Sequence, residues 1–322
     1  MDKRIWLIGM VGVLLVLAGQ GNAAAQGVSK KVGVLVWANE ARYENGVTGF
    51  VEQLKNDGLG SPSVEIVMRR AGGSKVTAMK MAEELADQKL DLYYALGTGG
   101  TSAMYMATKS APIVFSTVYD PVEAGLVQGW ESSRNNVTGA ASLVPMSRVL
   151  ELAKQMMPIK NVAALYTPHE KNSESQVRAL QACQAGLGVT IIPVAIVNEA
   201  EIATALPFVE GKVQAIYVTG SIVVGKGIAD VVRFAAEKKI MTVTHLEDLV
   251  EKGIMVGYCA DSKEQGVLAA KTAERILNGA KPADLPIKKA AVFATLINKK
   301  SALASGITIP AEVLSKAARV IE

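Results

Sequence analysis

Short, uninterrupted apolar runs alternate with longer amphipathic ones along this chain, and the alternation occurs twice. Val32–Trp37, Val64–Met68, Leu90–Leu96 and Ile113–Ser116 read as strands. Between them, Tyr43–Asp57, Lys75–Asp87 and Ser102–Lys109 read as helices; Val47, Phe50, Val51 and Leu54 share one face of the first. Strands that are apolar throughout, separated by helices, imply a parallel sheet covered on both faces. The order restarts with strands at Val162–Tyr166, Val189–Val194, Val213–Val218, Met241–Val243 and Ile254–Tyr258. Helices are expected at Ser173–Ala185, Glu199–Val209, Val223–Lys238 and Lys263–Asn278. Both halves open with a strand, a polar loop and a helix leading to Gly-Leu-Gly, at Gly58–Gly60 and Gly186–Gly188. The fold class is therefore α/β: two Rossmann-like lobes with parallel sheets, joined by a hinge, with the switch near Gly139–Pro145. Lys281–Pro286 reads as a linker, and Lys288–Glu322 as a strand-like run plus one helix opening at Pro310.

The start of the chain points to export. Lys3 and Arg4 precede an apolar run from Ile5 to Ala18, and Ala23-Ala24-Ala25 offers small residues for cleavage before Gln26. Residues 1–25 are thus expected to be a cleavable signal peptide. The alternative, a retained anchor, is opposed by the brevity of the run against the roughly 20 apolar residues of a span. No cysteine follows the signal, so a lipid anchor there is not expected, and a periplasmic location is.

The 322 residues carry a net charge of only +4, with scattered basic residues. No basic stripe marks a nucleic-acid partner. Cys183 and Cys259 are the only cysteines; an exported chain could join them, with geometry deciding, but they read as two separate buried thiols. His169 and His245 have no metal-like spacing to each other or to cysteine. Neither a cofactor nor a metal is expected, and with so few candidate bases the chain does not read as an enzyme.

Candidate ligand contacts sit where strands end, since open α/β sheets bind beyond the carboxyl ends of their strands. The loop with Thr98, Gly99, Gly100, Thr101 and Ser102 joins a strand to a helix. Its glycines allow close approach to an anionic group, or it is a tight turn with Thr101 as N-cap. Tyr119 and Asp120 end the next strand; Asp120 could accept from a ligand ammonium, or cap a helix begun by Pro121 with Glu123 completing the box. Trp37 could stack on a ligand ring or close the core, and Arg42, beside Tyr43, could clamp a carboxylate or stand as a solvated surface arginine. In the second half the candidates are Thr167, Asn172, Ser173, Thr219, Ser221, Thr244 and His245. Capping boxes are spelled by Ser173 with Gln176 and by Thr244 with Glu247.

The segment Val118–Val127 (VYDPVEAGLV), followed by Asn136–Gly139 (NVTG), resembles the signature region of one solute-binding family of ABC importers. Asn172-Ser173, Gln176-Val177, Ala215–Val218 and Gly279–Pro286 support the resemblance, which runs over nearly the whole mature chain. It implies the type I periplasmic binding protein fold, with a pocket between lobes at the Thr98–Ser102 loop, Tyr119-Asp120, Asn172-Ser173, Thr219–Ser221 and Thr244-His245. The implied lobes are 26–140 with 260–289, and 141–259 with 290–322. The implied partners are a small-molecule solute and an inner-membrane ABC permease, and the chain is expected to be monomeric. Relatives tend to carry acidic or amide groups where this chain has Gly220-Ser221-Ile222 and Thr244-His245. The ligand is expected to be amino acid-like or an aromatic or other organic carboxylate. The alternatives are a ligand sensor coupled to a membrane receptor, or an exported α/β enzyme.

Overall fold

The computed structural model describes residues 29–322. The basic start, apolar run and expected cleavage site lie outside the described residues. Among the described residues no helix is long and apolar enough to cross a membrane.

Among the described residues thirteen strands make two sheets. The first half supplies β1 (Lys30–Val36), β2 (Val64–Arg70), β3 (Leu92–Leu96), β4 (Ile113–Val118) and β5 (Val137–Ala141). The second supplies β6 (Asn161–Tyr166), β7 (Thr190–Ala195), β8 (Ala215–Val218), β9 (Met241–Thr244) and β10 (Val256–Ala260). β11 (Lys288–Lys289), β12 (Phe293–Asn298) and β13 (Arg319–Ile321) follow. The sheet orders are β11-β5-β4-β3-β1-β2 and β13-β12-β10-β9-β8-β6-β7. Within each, the five main strands follow one plan: the first strand pairs the second and third, and the fourth and fifth continue outward. The repeat seen in sequence is thus a repeat of topology. Every pairing is parallel except β10 with β12. The central strand β1 is apolar from Val32 onward because helices bury both faces of its sheet: Val32, Val34, Leu35 and Val36 are all fully buried.

The chain crosses between sheets three times: after β5, between β10 and the helix Ser262–Leu277, and between β11 and β12. That helix returns to the first sheet and packs along the helix Ala41–Asn56. The two backbones meet almost in contact. A methyl at Gly49 would overlap the Lys263 carbonyl, and one at Gly266 would overlap the Gly46 carbonyl. Gly266→Ala is therefore expected to destabilise the chain by about 1–3 kcal/mol through overpacking. Chemical denaturation measures this, and an unchanged midpoint would mean that the helices separate freely.

Several elements differ from the sequence expectation. Gly139, read as a switch, is central in β5, whose five residues are all buried; small residues there gave no periodicity. The helix Met146–Met156 follows and was not expected. The Gly97–Ala107 helix begins at the glycines rather than at Ser102. Thr101 therefore does not cap it; its Oγ1 donates to the Gly97 carbonyl one turn back (2.8 Å). The expected Val223–Lys238 helix is broken at Gly227, and Glu199–Val209 is a short helix followed by a 3-10 turn at Leu206–Val209. Pro310 is the extended residue before the helix Ala311–Ser315. A second helix at Lys299–Ala304 and the strand β13 share the C-terminal segment. The cysteines are unpaired; Cys259 is buried but Cys183 only partly so.

Candidate functional site

The carboxyl ends of both sets of strands face one cavity of about 340 Å³. From the first sheet it is lined by Trp37 after β1, by Thr98, Gly99 and Ser102 in the helix after β3, by Thr117 and Tyr119 at the end of β4, and by Ser142 after β5. Arg42 and Tyr43 open the helix after β1, and Lys75, Met79, Ala103 and Met106 complete this side. From the second sheet come His169, Glu170, Lys171, Asn172 and Gln176 after β6, Gly220 after β8, and His245 and Leu246 after β9.

One side of the cavity is aromatic. Trp37, Tyr43 and Tyr119 are each at most 6% exposed. The Trp37 ring lies flat on Gly99, where a Cβ would stand 2.6 Å from ring carbons, so the glycine that looked suited to a ligand instead seats the indole. Burial raises the Tyr43 hydroxyl to about 12, and burial likewise raises that of Tyr119, so both stay neutral donors.

The charged groups are mostly spoken for. Arg42 Nη1 donates to Asp248 Oδ2 at 2.6 Å, joining the two lobes through a pair with side chains 6% and 1% exposed. Burial, the largest single influence, lowers the Arg42 pKa, but the charge and hydrogen bond of Asp248 together with Tyr43 and Glu40 outweigh it and hold the guanidinium ionised. Asp248 Oδ1 is buried and receives no hydrogen bond. Among the described residues, Glu170 is the only carboxylate on the cavity wall. Burial raises its pKa, against the Ile222 amide that donates to it at 3.2 Å. Lys171 Nζ donates to the Ala124 carbonyl (2.6 Å) and Lys75 Nζ to the His169 carbonyl (3.4 Å), each across the cleft. His245 is neutral: burial, aided by the Arg42 charge, lowers its pKa to about 3.

Of the residues singled out in sequence, Trp37, Arg42, Tyr43, Thr98, Gly99, Ser102, Tyr119, Asn172 and His245 line the cavity. The others stand behind its wall. Gly100 packs against Leu35 and Trp37, and Thr101 is fully buried. Asp120 Oδ1 accepts from the Val122 and Glu123 amides (2.9 and 3.0 Å) in a turn rather than a helix. Glu123 does not complete a capping box; it reaches Ser175 (2.6 Å) and Arg178 (2.8 Å) across the cleft. Thr167 bonds to the Ile196 carbonyl and to Ser221, and Ser221 caps the helix Ile222–Lys226. Ser173 sits inside its helix and donates to Thr167, Thr219 donates to Leu165, and Thr244 donates to Val218. These short hydroxyls tie strand ends to one another. Lys75, Met79, Ala103, Met106, Thr117, Ser142, His169, Glu170, Lys171, Gln176 and Leu246 were not singled out as ligand contacts. Gly220, in the Thr219–Ser221 loop that the resemblance placed at the pocket, lines the cavity, and its carbonyl and amide are held by Asn172 (2.9 Å) and Gln176 (2.7 Å).

The profile of the ABC transporter substrate binding protein family matches residues 31–321. The chain belongs to that family. It is 28% identical over 260 residues to a tyrosine-binding protein of Clostridioides difficile, covering 80% of this chain and 75% of that one. It is similar in structure to an ABC domain in complex with L-Trp from Streptococcus pneumonia: TM-score 0.86, 30% identity, 91% of this chain and 100% of that one. The ligand-free, open structure of a substrate binding protein with adhesive properties from Clostridium difficile gives TM-score 0.73 at 28% identity, over 91% of this chain and 99% of that one. The fold is that of type I periplasmic binding proteins. As a family member, this substrate-binding protein is expected to receive a small-molecule solute and to work with a membrane permease.

Proposed function

We propose that this substrate-binding protein captures an aromatic, amino acid-like solute or an aromatic carboxylate in the periplasm and delivers it to an inner-membrane permease. The observation that carries this reading is the cavity itself. Strand ends from both sheets build it, aromatic rings line one side, and polar groups from both lobes are spread round it. Hinge closure supplies the mechanism. The cleft contacts Arg42–Asp248, Glu123–Arg178 and Lys171–Ala124 require the lobes to be close together. The higher TM-score to the L-Trp complex than to the open, ligand-free relative, at equal coverage of this chain, supports a closed arrangement. Ring burial provides affinity, and the fixed polar groups orient the solute. The tyrosine-binding and L-Trp-bound relatives support the solute class.

A thermal-shift screen tests the proposal. The panel holds L-tryptophan, L-tyrosine, L-phenylalanine, branched amino acids, indole-3-acetate, phenylacetate, nucleosides and sugars, after any co-purified solute is removed by unfolding and refolding. A ligand at a hundred times its Kd adds about 2.7 kcal/mol. A shift confined to aromatic members is expected. A response to sugars or nucleosides alone would overturn the proposed class.

A further inference from the structure

His245 directly follows β9, and its surroundings give it a specific role. The ring lines the cavity beside Arg42, Thr117 and Ser142, at the end nearest the crossing after β5. Its Nδ1 lies 2.6 Å from the Tyr217 hydroxyl. That hydroxyl has one other neighbour within reach, the Met146 sulfur at 3.4 Å. A thioether is a weak acceptor and an imidazole nitrogen a strong one, so the phenolic proton goes to Nδ1. A neutral imidazole has a single N–H, which must then sit on Nε2. Among the described residues nothing accepts from Nε2, and it is not one of the buried polar atoms left unpartnered. It is therefore open to the cavity. The Tyr119 ring meets His245 edge-on, with centroids 5.5 Å apart, and the Tyr217 ring lies nearly parallel to the imidazole at 6.0 Å, a separation spanned by the hydroxyl–Nδ1 bond; the two contacts hold the ring's orientation.

We propose that Tyr217 fixes His245 as the neutral Nε2–H tautomer, which presents an oriented hydrogen-bond donor to an acceptor oxygen of the bound solute. The inference rests on the transport reading for the identity of the acceptor's owner; the tautomer stands apart from it. An uncharged donor selects for a carboxylate, carbonyl or hydroxyl oxygen at this end and against an ammonium. His245 would touch the solute, and Tyr217 is the positioning residue behind it.

Two measurements test this. Labelling histidine with 15N gives signals from only two residues, His169 and His245, and His245→Gln assigns them by loss. The expected pattern is a neutral Nε2–H imidazole, turning into a mixture of tautomers in Tyr217→Phe. An Nδ1–H tautomer or an imidazolium in the wild type would sink the proposal. In calorimetric titrations with L-tryptophan, His245→Leu is expected to weaken binding about tenfold or more. His245→Gln, which keeps a donor near Nε2, should recover part of the loss. Tryptamine, which has the ring and ammonium but no carboxylate, should lose little. Undiminished L-tryptophan affinity in His245→Leu overturns the donor role. If the wild type responds to another member of the aromatic panel, that member replaces L-tryptophan. If it binds none of them, the transport reading for this class fails, while the tautomer still decides whether Tyr217 holds His245 as argued.

Discussion

Asp248→Ala is expected to destabilise the protein by about 3–5 kcal/mol, because it strips the counter-charge from a buried guanidinium. Arg42 cannot lose its proton at any working pH, and its side chain is only 6% exposed. The neighbouring Tyr43 ring lies 4.8 Å from the guanidinium carbon and offers a face but no charge. The pair ties the helix Ala41–Asn56 of the first sheet to the helix Glu247–Glu251 of the second. A chain that lacks Asp248 should therefore relieve the charge by parting the lobes as well as by unfolding. Denaturant titration measures the stability, and small-angle scattering reads the opening. The double variant Arg42→Met with Asp248→Leu should recover most of the loss, since apolar replacement of a buried ion pair is often neutral or better. A single variant as stable as the wild type would mean that water already reaches Arg42.

His245 is expected to make the protein sensitive to mild acid. In the folded state its pKa is depressed to about 3 from the ordinary 6.5. Between those values the unfolded chain binds a proton that the folded chain refuses, so stability rises with pH. The contribution is complete above pH 6.5 and is lost as pH falls toward 3, to a total of roughly 4–5 kcal/mol. Carboxylates titrate in the lower part of this window too. Glu123, held low by the Ser175 hydroxyl and the Arg178 charge, loses stability in the same direction. Glu170 and Glu264, raised by burial, act in the opposite one. Comparison with His245→Gln removes these common terms. The wild-type curve of stability against pH should be steeper than the variant's by nearly one proton from pH 6 down to pH 4, and parallel to it above pH 7. Parallel curves throughout would show that His245 titrates as it does in water.

The strands were legible because both faces of each sheet are covered, which leaves apolar runs such as Val32–Val36 with no polar interruption. β5 was missed because Thr138, Gly139, Ala140 and Ala141 are small, and small buried residues carry little hydrophobic signal. The aromatic wall was partly legible, since Trp37 and Tyr119 stand at or just past strand ends. Glu170 and Lys171 were not, because a charge beside a helix start reads equally well as a solvated surface. Only the approach of the first lobe makes Glu170 a cavity residue. Capping arguments failed at Thr101, Ser173 and Thr244 for one reason: each hydroxyl found a carbonyl of a neighbouring turn or strand, which sequence spacing cannot reveal.

The return of the Ser262–Leu277 helix to the first sheet sets an order of assembly. The glycine seam on the Ala41–Asn56 helix and the free edge of β5 both wait for residues beyond 260. A chain emerging from its amino end could complete the second sheet's five parallel strands before the first lobe had its cover. The first lobe is begun first and finished late. Contacts between residues more than two hundred positions apart make such closure slow. The binding cleft, built from both lobes, is complete only after nearly all of the chain is in place.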